Sequence, residues 1–396
     1  MNVLVSTSAR LALTGDGELW SSYLDYGFWS RFLEVFDSVH LLARCRIVSE
    51  RPPQWIRASG PGIKIVPLPH FVGLYEFFRN LGTCRQIIRS ALAAAQSVHL
   101  LLPCPIGTLV WRCLQHGRPY AANVCGDPYD ALGPKALGHT LSPLLRRVGA
   151  RDLRAQCRKA STVAYVSGVL RRRYPASESA FVVDVANVRL SDEAFIQDPR
   201  PRQPDQVAFN LLSVGTLSQP YKGHDILIKA IALCAQKGLN IELLVLGEGA
   251  YQKTLESLAG SLGVGSRVRF GHVVGVDRVR SYMDKADLFV LGSRAEGLPK
   301  AMLEAMARGL PCVGTNVGGI PELLESDSLV PPEDAVALAQ RICEILANPE
   351  RMATMGKRNL EKAKEYKEEI LRSKRLEFYR ELRRASESWQ SHGSRR

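Results

Sequence analysis

Short apolar runs alternate with helix-like stretches along the whole chain, and this alternation restricts the fold more than any other feature. Apolar strands separated by helices are typical of parallel sheets built from βαβ units. A chain of 396 residues is too long for one ordinary core, so we expect two α/β domains of roughly 150–200 residues each. The predicted strands are 3–8, 39–43, 64–68, 98–103, 120–125, 162–167 and 181–185, then 210–216, 242–247, 268–271, 288–292, 312–315 and 329–330.

Three prolines within six residues, flanked by charges, predict an interdomain linker over residues 198–206. The predicted domains are therefore 1–197 and 207–365. Residues 366–396 are charged and helix-prone, and they predict a helix that docks on another part of the protein before a frayed tail begins at residue 386. The positions of that helix that recur at helical spacing are Leu371, Arg375, Phe378 and Leu382.

The composition narrows the class of protein further. With 46% hydrophobic and 23% charged residues the chain is globular, and a net charge of +13 calls for an anionic partner. The nine cysteines are scattered without a CxxC pair, so neither a zinc site nor a disulfide framework is indicated. No apolar run reaches the roughly 20 residues of a membrane-spanning helix, and the first residues read as a strand instead of a signal peptide. We therefore expect a cytoplasmic protein.

The stretch from Gly292 to Ala307 carries the most chemical information. It follows the apolar run at 288–291, and Pro299 suits the first turn of a helix, where its missing N–H costs nothing. The backbone around Leu298, Pro299, Lys300 and Ala301 therefore lies at a helix N-terminus, on the carboxyl edge of a parallel sheet. Ligands bind at that edge, and free amides with the positive end of the helix dipole suit a diphosphate.

Two glutamates eight residues apart flank this predicted anion site, Glu296 in the loop and Glu304 inside the helix. A carboxylate beside an anion is unfavourable unless it binds donors, and sugar hydroxyls are such donors. The alternative is one charge that favours the helix dipole and one solvated surface residue. Taken alone, the pair leaves both interpretations open.

Other strand-to-helix loops reach the same edge of the sheet. Gly215 and Thr216 precede Lys222, which can approach a phosphate as a point charge. The next loops contain Gly247 and then His272 with Val273. Glycines at strand ends are common turn formers, but successive units that all present them at one edge favour a ligand site.

These residues together resemble the retaining glycosyltransferases of the GT4 family, most strongly over residues 207–350. The resemblance implies a GT-B fold, which has two facing Rossmann-like domains, a deep cleft between them and a last helix that crosses back to the first domain. It also implies a nucleoside-diphosphate sugar as donor and no required metal. The motifs that carry it are Gly215…Lys222-Gly223, Gly247-Glu248-Gly249, Gly271-His272-Val273, Glu296-x7-Glu304 and the run from Thr315 to Glu322.

Carried over residue by residue, the resemblance assigns Glu304 to the donor ribose, Glu296 to the donor sugar and Lys222 to the diphosphate. His272 and Val273 would hold the base, and the backbone over 298–301 would hold phosphate. The chain departs from the family at Thr216, because the usual sequence there is Gly-Arg-Leu. An arginine that would share the diphosphate charge is therefore missing.

The first half of the chain shows the family pattern less clearly. Its only counterpart of the glycine-rich loop after the first strand is Gly15 and Gly17, which we expect near the donor phosphates and the acceptor. Where the family often has a histidine, Asp127 is the nearest substitute and could orient or deprotonate an acceptor hydroxyl. An Asp-Pro turn explains Asp127 equally well.

Four arginines at helical spacing predict a basic helix face in the first half of the chain. Such a face can contact anionic lipid headgroups and deliver a lipid-linked acceptor, or it can simply be solvated. The four are Arg147, Arg151, Arg154 and Arg158.

The sequence predicts a hexosyltransferase that acts on a lipid-linked or polysaccharide acceptor in cell-surface glycan synthesis. An epimerase or phosphorylase with the same fold is the nearest alternative. A nicotinamide-dependent oxidoreductase needs a complete GxGxxG with a later acid, and no loop supplies it. A nucleic-acid-binding protein is suggested by the charge alone, without any recognised module.

Overall fold

The computed structural model describes residues 1–22, 24–52, 55–133, 142–199, 208–272 and 275–393. Two parallel β-sheets, one over residues 2–184 and one over 208–330, are packed against helices. The predicted α/β class with two Rossmann-like halves is therefore confirmed. Most of the predicted linker at 198–206 lies outside the described residues, and the domain boundaries at 197 and 207 stay predictions.

The first sheet has seven parallel strands in the order β5-β3-β1-β6-β7-β8-β9, with two short antiparallel strands, β2 and β4, added beside β1. The residues of its central strands are mostly apolar and buried, as is typical of a parallel sheet that is covered on both faces. Its strands are β1 Asn2–Thr14, β2 Leu19–Ser21, β3 Ser38–Val48, β4 Ile56–Arg57, β5 Ile63–Leu68, β6 Ser97–Leu102, β7 Ala121–Val124, β8 Thr162–Tyr165 and β9 Phe181–Asp184.

Helices connect these strands on both faces. One apolar cluster fills the space between the sheet and the longer helices of one face, with Ile88, Leu109 and Leu153 among its fully buried members. The helices are α1 Tyr26–Trp29, α2 Gly73–Arg79, α3 Leu81–Ala94, α4 Pro105–Cys113, α5 Pro128–Ala131, α6 Ser142–Lys159 and α7 Gly168–Arg173, with short 3₁₀ helices at Ser30–Glu34 and Asp192–Ala194.

The second sheet has six parallel strands in the order β12-β11-β10-β13-β14-β15, so its strand order reverses between β10 and β13. Such a switch point opens a crevice at the carboxyl ends of the strands. Its strands are β10 Ala208–Val214, β11 Asn240–Leu246, β12 Val268–Gly271, β13 Leu288–Leu291, β14 Cys312–Thr315 and β15 Leu329–Val330. Its helices are α8 His224–Gln236, α9 Gln252–Ser261, α10 Val276–Met283, α11 Lys300–Ala307, α12 Ala335–Leu346 and α13 Pro349–Lys364, with 3₁₀ helices at Pro220–Lys222, Gly265–Arg267, Ile320–Glu322 and Ser326–Ser328.

A last helix, α14 Glu368–Gly393, crosses back to the first domain and contacts β6, β8 and β9. Its Tyr379 ring stacks on Phe32 with 4.5 Å between centroids, and His99 of β6 packs edge-on against the same pair. The four residues predicted to recur at helical spacing are all buried, as an amphipathic helix docked on a core requires.

The predicted frayed tail is wrong for the described residues. Helix α14 continues to Gly393, and Ser386 is buried and bonded to Ser97 with 2.8 Å between the two hydroxyl oxygens. The charged composition suggested fraying, but docking on the first sheet stabilises this segment through contacts distant in sequence. Residues 394–396 lie outside the described residues.

Strand β1 is also longer than predicted. It pairs with β6 only from Val3 to Ser6, and its register with β3 shifts before Arg10. The second half of β1 then pairs antiparallel with β2. Gly15 and Gly17 therefore form the turn of a β1–β2 hairpin, in which the Gly17 amide donates to the Thr14 carbonyl at 2.9 Å. The predicted end of the first strand at residue 8 is wrong, because pairing with β2 and with the far half of β3 extends β1 by six residues. The placement of Gly15 and Gly17 near the donor phosphates and the acceptor stays a prediction.

Candidate active site

Lys222 and Glu296 meet at the carboxyl edge of the second sheet. Lys222 ends the 3₁₀ turn after β10, and its Nζ lies 2.7 Å from Oε1 of Glu296, which sits in the loop after β13. The hydroxyl of Ser293 donates to the same carboxylate oxygen at 2.7 Å. The side chains of Lys222 and Glu296 are only 15% and 6% exposed. Burial alone would lower the pKa of Lys222, but the facing carboxylate gives a net rise.

Close backbone approach explains the glycines of these loops. Gly223 has φ of 65° and caps α8, and a Cβ there would overlap the carbonyl oxygen of Gly292. A Cβ at Gly247 would overlap the carbonyl oxygen of Gly215 in the same way. The loops after β10, β11 and β13 therefore pack backbone to backbone, and this packing brings Lys222 to Glu296.

Helix α11 starts beside this pair. Its N-cap residue is Pro299, whose side chain accepts no hydrogen bond. The first amides of the helix, from Lys300 and Ala301 onward, are therefore not capped by a side chain of the N-cap residue. A helix N-terminus of this kind is compatible with the predicted anion site over 298–301, which stays a prediction. The side chain of Lys300 has its pKa lowered by burial, partly offset by neighbouring acidic groups that include Glu304.

Glu304 lies one turn into α11 and is partly buried. Burial raises its pKa to about 6, and the nearby cations Lys300 and Arg280 oppose that rise. Glu304 lines a small cavity with Arg189 of the first domain and with Arg280 and Met283 of α10. Glu304 therefore lies where residues of both domains meet, and its assignment to the donor ribose stays a prediction.

Arg294 was not predicted from the sequence and organises the lysine loop. Its guanidinium pairs with Asp225 at 2.7 Å and with Glu333, and it donates to the Pro220 carbonyl at 2.6 Å. Hydrogen bonding to Asp225 is the main reason that the pKa of Arg294 is raised. Because Pro220 starts the turn that ends at Lys222, Arg294 holds the lysine in place. Its partners lie 39 to 74 residues away, so no local motif reveals them.

Thr216 and His272, which were also predicted to bind the donor, have contacts of their own. Thr216 accepts a hydrogen bond from the Ser218 amide at 3.2 Å, as a turn residue does. His272 follows β12, its side chain is 75% exposed, and its Nδ1 lies 3.6 Å from a carboxylate oxygen of Glu248. Val273 lies outside the described residues. The assignment of this loop to the nucleotide base remains a prediction.

Asp127 is a structural residue in the first domain. It is the N-cap of α5 and accepts from the Tyr129 amide at 2.7 Å. Its carboxylate also accepts from the Tyr174 hydroxyl at 2.5 Å and pairs with Arg173 at 2.5 Å. These contacts show the Asp-Pro turn that was one of the two interpretations of Asp127. The role as an acceptor base stays a prediction.

The basic face predicted in the first domain exists as a surface of helix α6. The four arginines of this α6 face are all exposed, while Ala150, Leu153 and Cys157 of the same helix pack into the core. They are Arg147, Arg151, Arg154 and Arg158. None of the described helices is long and apolar enough to cross a membrane.

Comparison with known proteins agrees with this architecture. Residues 197–362 match the family described as glycosyl transferases group 1. A GDP-mannose-dependent alpha-(1-6)-phosphatidylinositol monomannoside mannosyltransferase of Mycolicibacterium smegmatis is 30% identical, over 58% of this chain and 69% of that protein. The putative colanic acid biosynthesis glycosyltransferase WcaL of Escherichia coli is 33% identical, over 41% of this chain and 43% of its own.

Two solved structures share the fold across both domains. Sucrose-phosphate synthase from Thermosynechococcus elongatus superposes with a TM-score of 0.70 at 19% identity and covers 96% of this chain and 99% of its own. Anabaena HepE in complex with UDP and glucose gives a TM-score of 0.66 at 17% identity, over 95% and 98% of the two chains. At this level of identity the likeness concerns the fold alone.

Proposed function

Because the chain belongs to the glycosyl transferases group 1 family, we propose that it moves a hexose from a UDP- or GDP-sugar to a hydroxyl acceptor with retention of the anomeric configuration. The chain is an enzyme of the glycosyltransferase class. The observation that carries the proposal is the convergence of Lys222, Glu296 and the N-terminus of α11 at one edge of the sheet.

Lys222 and the first amides of α11 supply the positive potential that a leaving diphosphate needs. Preorganised positive groups of this kind stabilise charge as it develops, which is usually the largest contribution to catalysis. Glu296 then contacts hydroxyls of the transferred sugar, and Glu304 accepts the two hydroxyls of the ribose. In this proposal Lys222 contacts both the Glu296 carboxylate and the phosphate. It supplies part of the positive charge that the arginine replaced by Thr216 would provide.

The reaction breaks the bond between the anomeric carbon and the diphosphate oxygen. The acceptor oxygen attacks the same face of the oxocarbenium-like carbon, and its proton passes to the departing phosphate oxygen. The scheme assigns no covalent role to Asp127, whose carboxylate contacts Arg173, Tyr174 and the α5 backbone. Front-face attack gives retention without a covalent intermediate. No metal is required in this scheme, because Lys222 and the helix carry the countercharge.

The similar proteins support the choice of donors and acceptors. One relative is named for a GDP-mannose donor and a phosphatidylinositol mannoside acceptor, and another for colanic acid biosynthesis. HepE was solved with UDP and glucose. We therefore propose a lipid-linked or polysaccharide intermediate as acceptor.

A lipid-linked acceptor requires the enzyme to work at a membrane surface, and the α6 face is suited to anionic headgroups. Its four guanidiniums project from one exposed helix face. In the same domain, α2 exposes two aromatic side chains, Tyr75 at 80% and Phe78 at 64%. Arginines combined with exposed aromatic residues are typical of interfacial binding. We propose that the protein works at the inner face of the membrane through this surface.

The direct test is an assay with a panel of UDP- and GDP-hexoses, with and without lipid-extract and oligosaccharide acceptors. The proposal expects nucleoside diphosphate release that depends on the acceptor, and a product whose anomeric configuration by NMR matches that of the donor. An inverted product would overturn retention. Conversion of the donor sugar without any acceptor would indicate an epimerase, and a glycosyl phosphate formed from inorganic phosphate would indicate a phosphorylase.

A further inference from the structure

The carboxylate of Glu322 joins the two domains through hydrogen bonds to backbone amides. Glu322 ends the 3₁₀ helix after β14, in the second domain. Its Oε2 accepts from the Gly168 amide at 2.9 Å, and its Oε1 accepts from the Val169 amide at 2.7 Å. Gly168 and Val169 begin α7 in the first domain, and Ser167, the N-cap of that helix, makes no side-chain cap bond. A residue of the second domain therefore caps a helix of the first.

The chain segment that carries Glu322 also supports the loop that carries Glu296. The Gly319 amide donates to the Gly297 carbonyl at 2.9 Å, and a Cβ at Gly318 would overlap the Glu296 carbonyl oxygen. On its other side the same loop touches the first domain, since a Cβ at Gly297 would overlap the carbonyl oxygen of Cys125. The Glu296 loop thus lies between the Glu322 segment and the end of β7.

We propose that Glu322 is a positioning residue that holds the two domains closed around the Glu296 loop during transfer. The proposal rests on the proposed function for the identity of the reaction, but the interdomain contact does not depend on it. Lys222, Glu296 and Glu304 all belong to the second domain. In the proposed function a donor can therefore bind to them whether the domains are closed or apart, whereas contact of the Glu296 loop with the end of β7 requires closure.

The chemistry of the contact suits reversible closure. A carboxylate that accepts from two backbone amides forms charge-assisted hydrogen bonds, and the positive end of α7 adds to the attraction. When the domains separate, the carboxylate and both amides return to water, which keeps the net stability of the contact modest. Such a contact biases the domains towards closure without locking them.

The test compares Glu322→Ala and Glu322→Gln with Glu325→Ala. Glu325 is an exposed glutamate three residues further along, and its side chain caps nothing. We expect kcat of Glu322→Ala to fall about tenfold, since two charge-assisted hydrogen bonds are lost, and the Kd of the nucleoside diphosphate to stay within about twofold. Small-angle scattering should show a larger radius of gyration for Glu322→Ala. Glu322→Gln keeps one acceptor oxygen and should lie in between, whereas Glu325→Ala should match the wild type.

Unchanged kcat and unchanged scattering in Glu322→Ala would overturn the proposal. A loss of donor affinity as large as the loss of kcat would overturn it too, because the residue would then act through the donor site. If Glu322→Ala fails to fold, the near-isosteric Glu322→Gln supplies the same comparison. A wild-type protein without transferase activity would refute the proposed function, and the scattering comparison would still decide whether Glu322 holds the domains together.

Discussion

The Nζ atom of Lys222 lies 2.7 Å from Oε1 of Glu296, although 74 positions separate the two residues in the sequence. Each comes from a different strand-to-helix loop, and both side chains are largely shielded from water. In the proposed function, an incoming diphosphate would share a lysine that already has a partner. Binding of the leaving group by Lys222 would then be coupled to the carboxylate of Glu296.

Removing one member of this pair should damage both stability and activity. Lys222→Ala leaves a buried carboxylate without its countercharge, so we expect the free energy of unfolding to fall by about 3 kcal/mol. Turnover should be lost as well. The double variant Lys222→Met/Glu296→Gln removes both charges, so it should regain most of the stability but none of the activity. Urea unfolding and initial rates measure both effects, and a double variant no more stable than Lys222→Ala would contradict the pairing.

Donor affinity should depend on the protonation of Glu304. Its pKa is raised to about 6, and only the carboxylate can accept from both ribose hydroxyls. Below that pH the Kd of the donor should rise by up to about tenfold per unit. An intact NDP-sugar is the probe for calorimetry, because its pyrophosphate does not titrate in this range. A wild-type Kd that stays constant between pH 5 and 8 would contradict this role.

Glu304→Gln provides the matched control and a second readout. Its donor affinity should be low and independent of pH. Because the folded-state pKa lies above the unfolded value, the stabilising contribution of the Glu304 carboxyl is present at low pH and lost as the pH rises through about 6. Glutamine avoids this loss, so at pH 8 the variant should be about 2 kcal/mol more stable to unfolding than the wild type.

A comparison of two glycines with positive φ distinguishes the free-energy cost of backbone strain from the cost of a steric clash. Gly223 has φ of 65° and abuts the Gly292 carbonyl, whereas Gly238 has φ of 83° and open space around its Cα. Gly238→Ala should cost only the strain of about 1 kcal/mol. Gly223→Ala should cost clearly more and also lower kcat, since it displaces the adjacent Lys222. Equal effects of the two variants on urea unfolding and turnover would contradict the close approach.

The α6 face should decide membrane binding. Reversing its four arginines to glutamate should weaken binding to vesicles with phosphatidylglycerol by at least about tenfold at low salt, because each contributes about 1 kcal/mol near an anionic surface. Four exposed lysines of the second domain give a control with the same change in net charge. They are Lys229, Lys237, Lys253 and Lys285. Equal losses in both variants would indicate attraction to the net charge alone, and no wild-type binding at low salt would refute the membrane proposal.

The strands of the second domain were predictable because they are local signals. The strands at 268–271, 312–315 and 329–330 match β12, β14 and β15 at both ends. Their apolar runs are short and bounded by turn residues, so both ends of each strand are visible in the sequence. The far half of β1 was missed because its pairing with β2 and with the far half of β3 depends on residues outside the local apolar run.

The residues of the candidate site show the same difference between local and long-range signals. Glu296, Glu304 and Lys222 were singled out because they follow strand ends in the sequence, and the family resemblance then supplied their predicted roles. Arg294 and Glu322 were not, since their roles depend on partners up to 154 residues away. At Asp127 the local Asp-Pro motif correctly indicated a turn and a helix N-cap.

The docking of α14 on the first sheet has a consequence for synthesis. Phe378 and Leu382 complete the hydrophobic core that Phe32 and His99 begin. On the ribosome, the first domain therefore waits with an uncovered apolar surface while the entire second domain emerges. The domain that is translated first is the one that finishes folding last, and a nascent chain stalled before residue 378 presents that surface to chaperones.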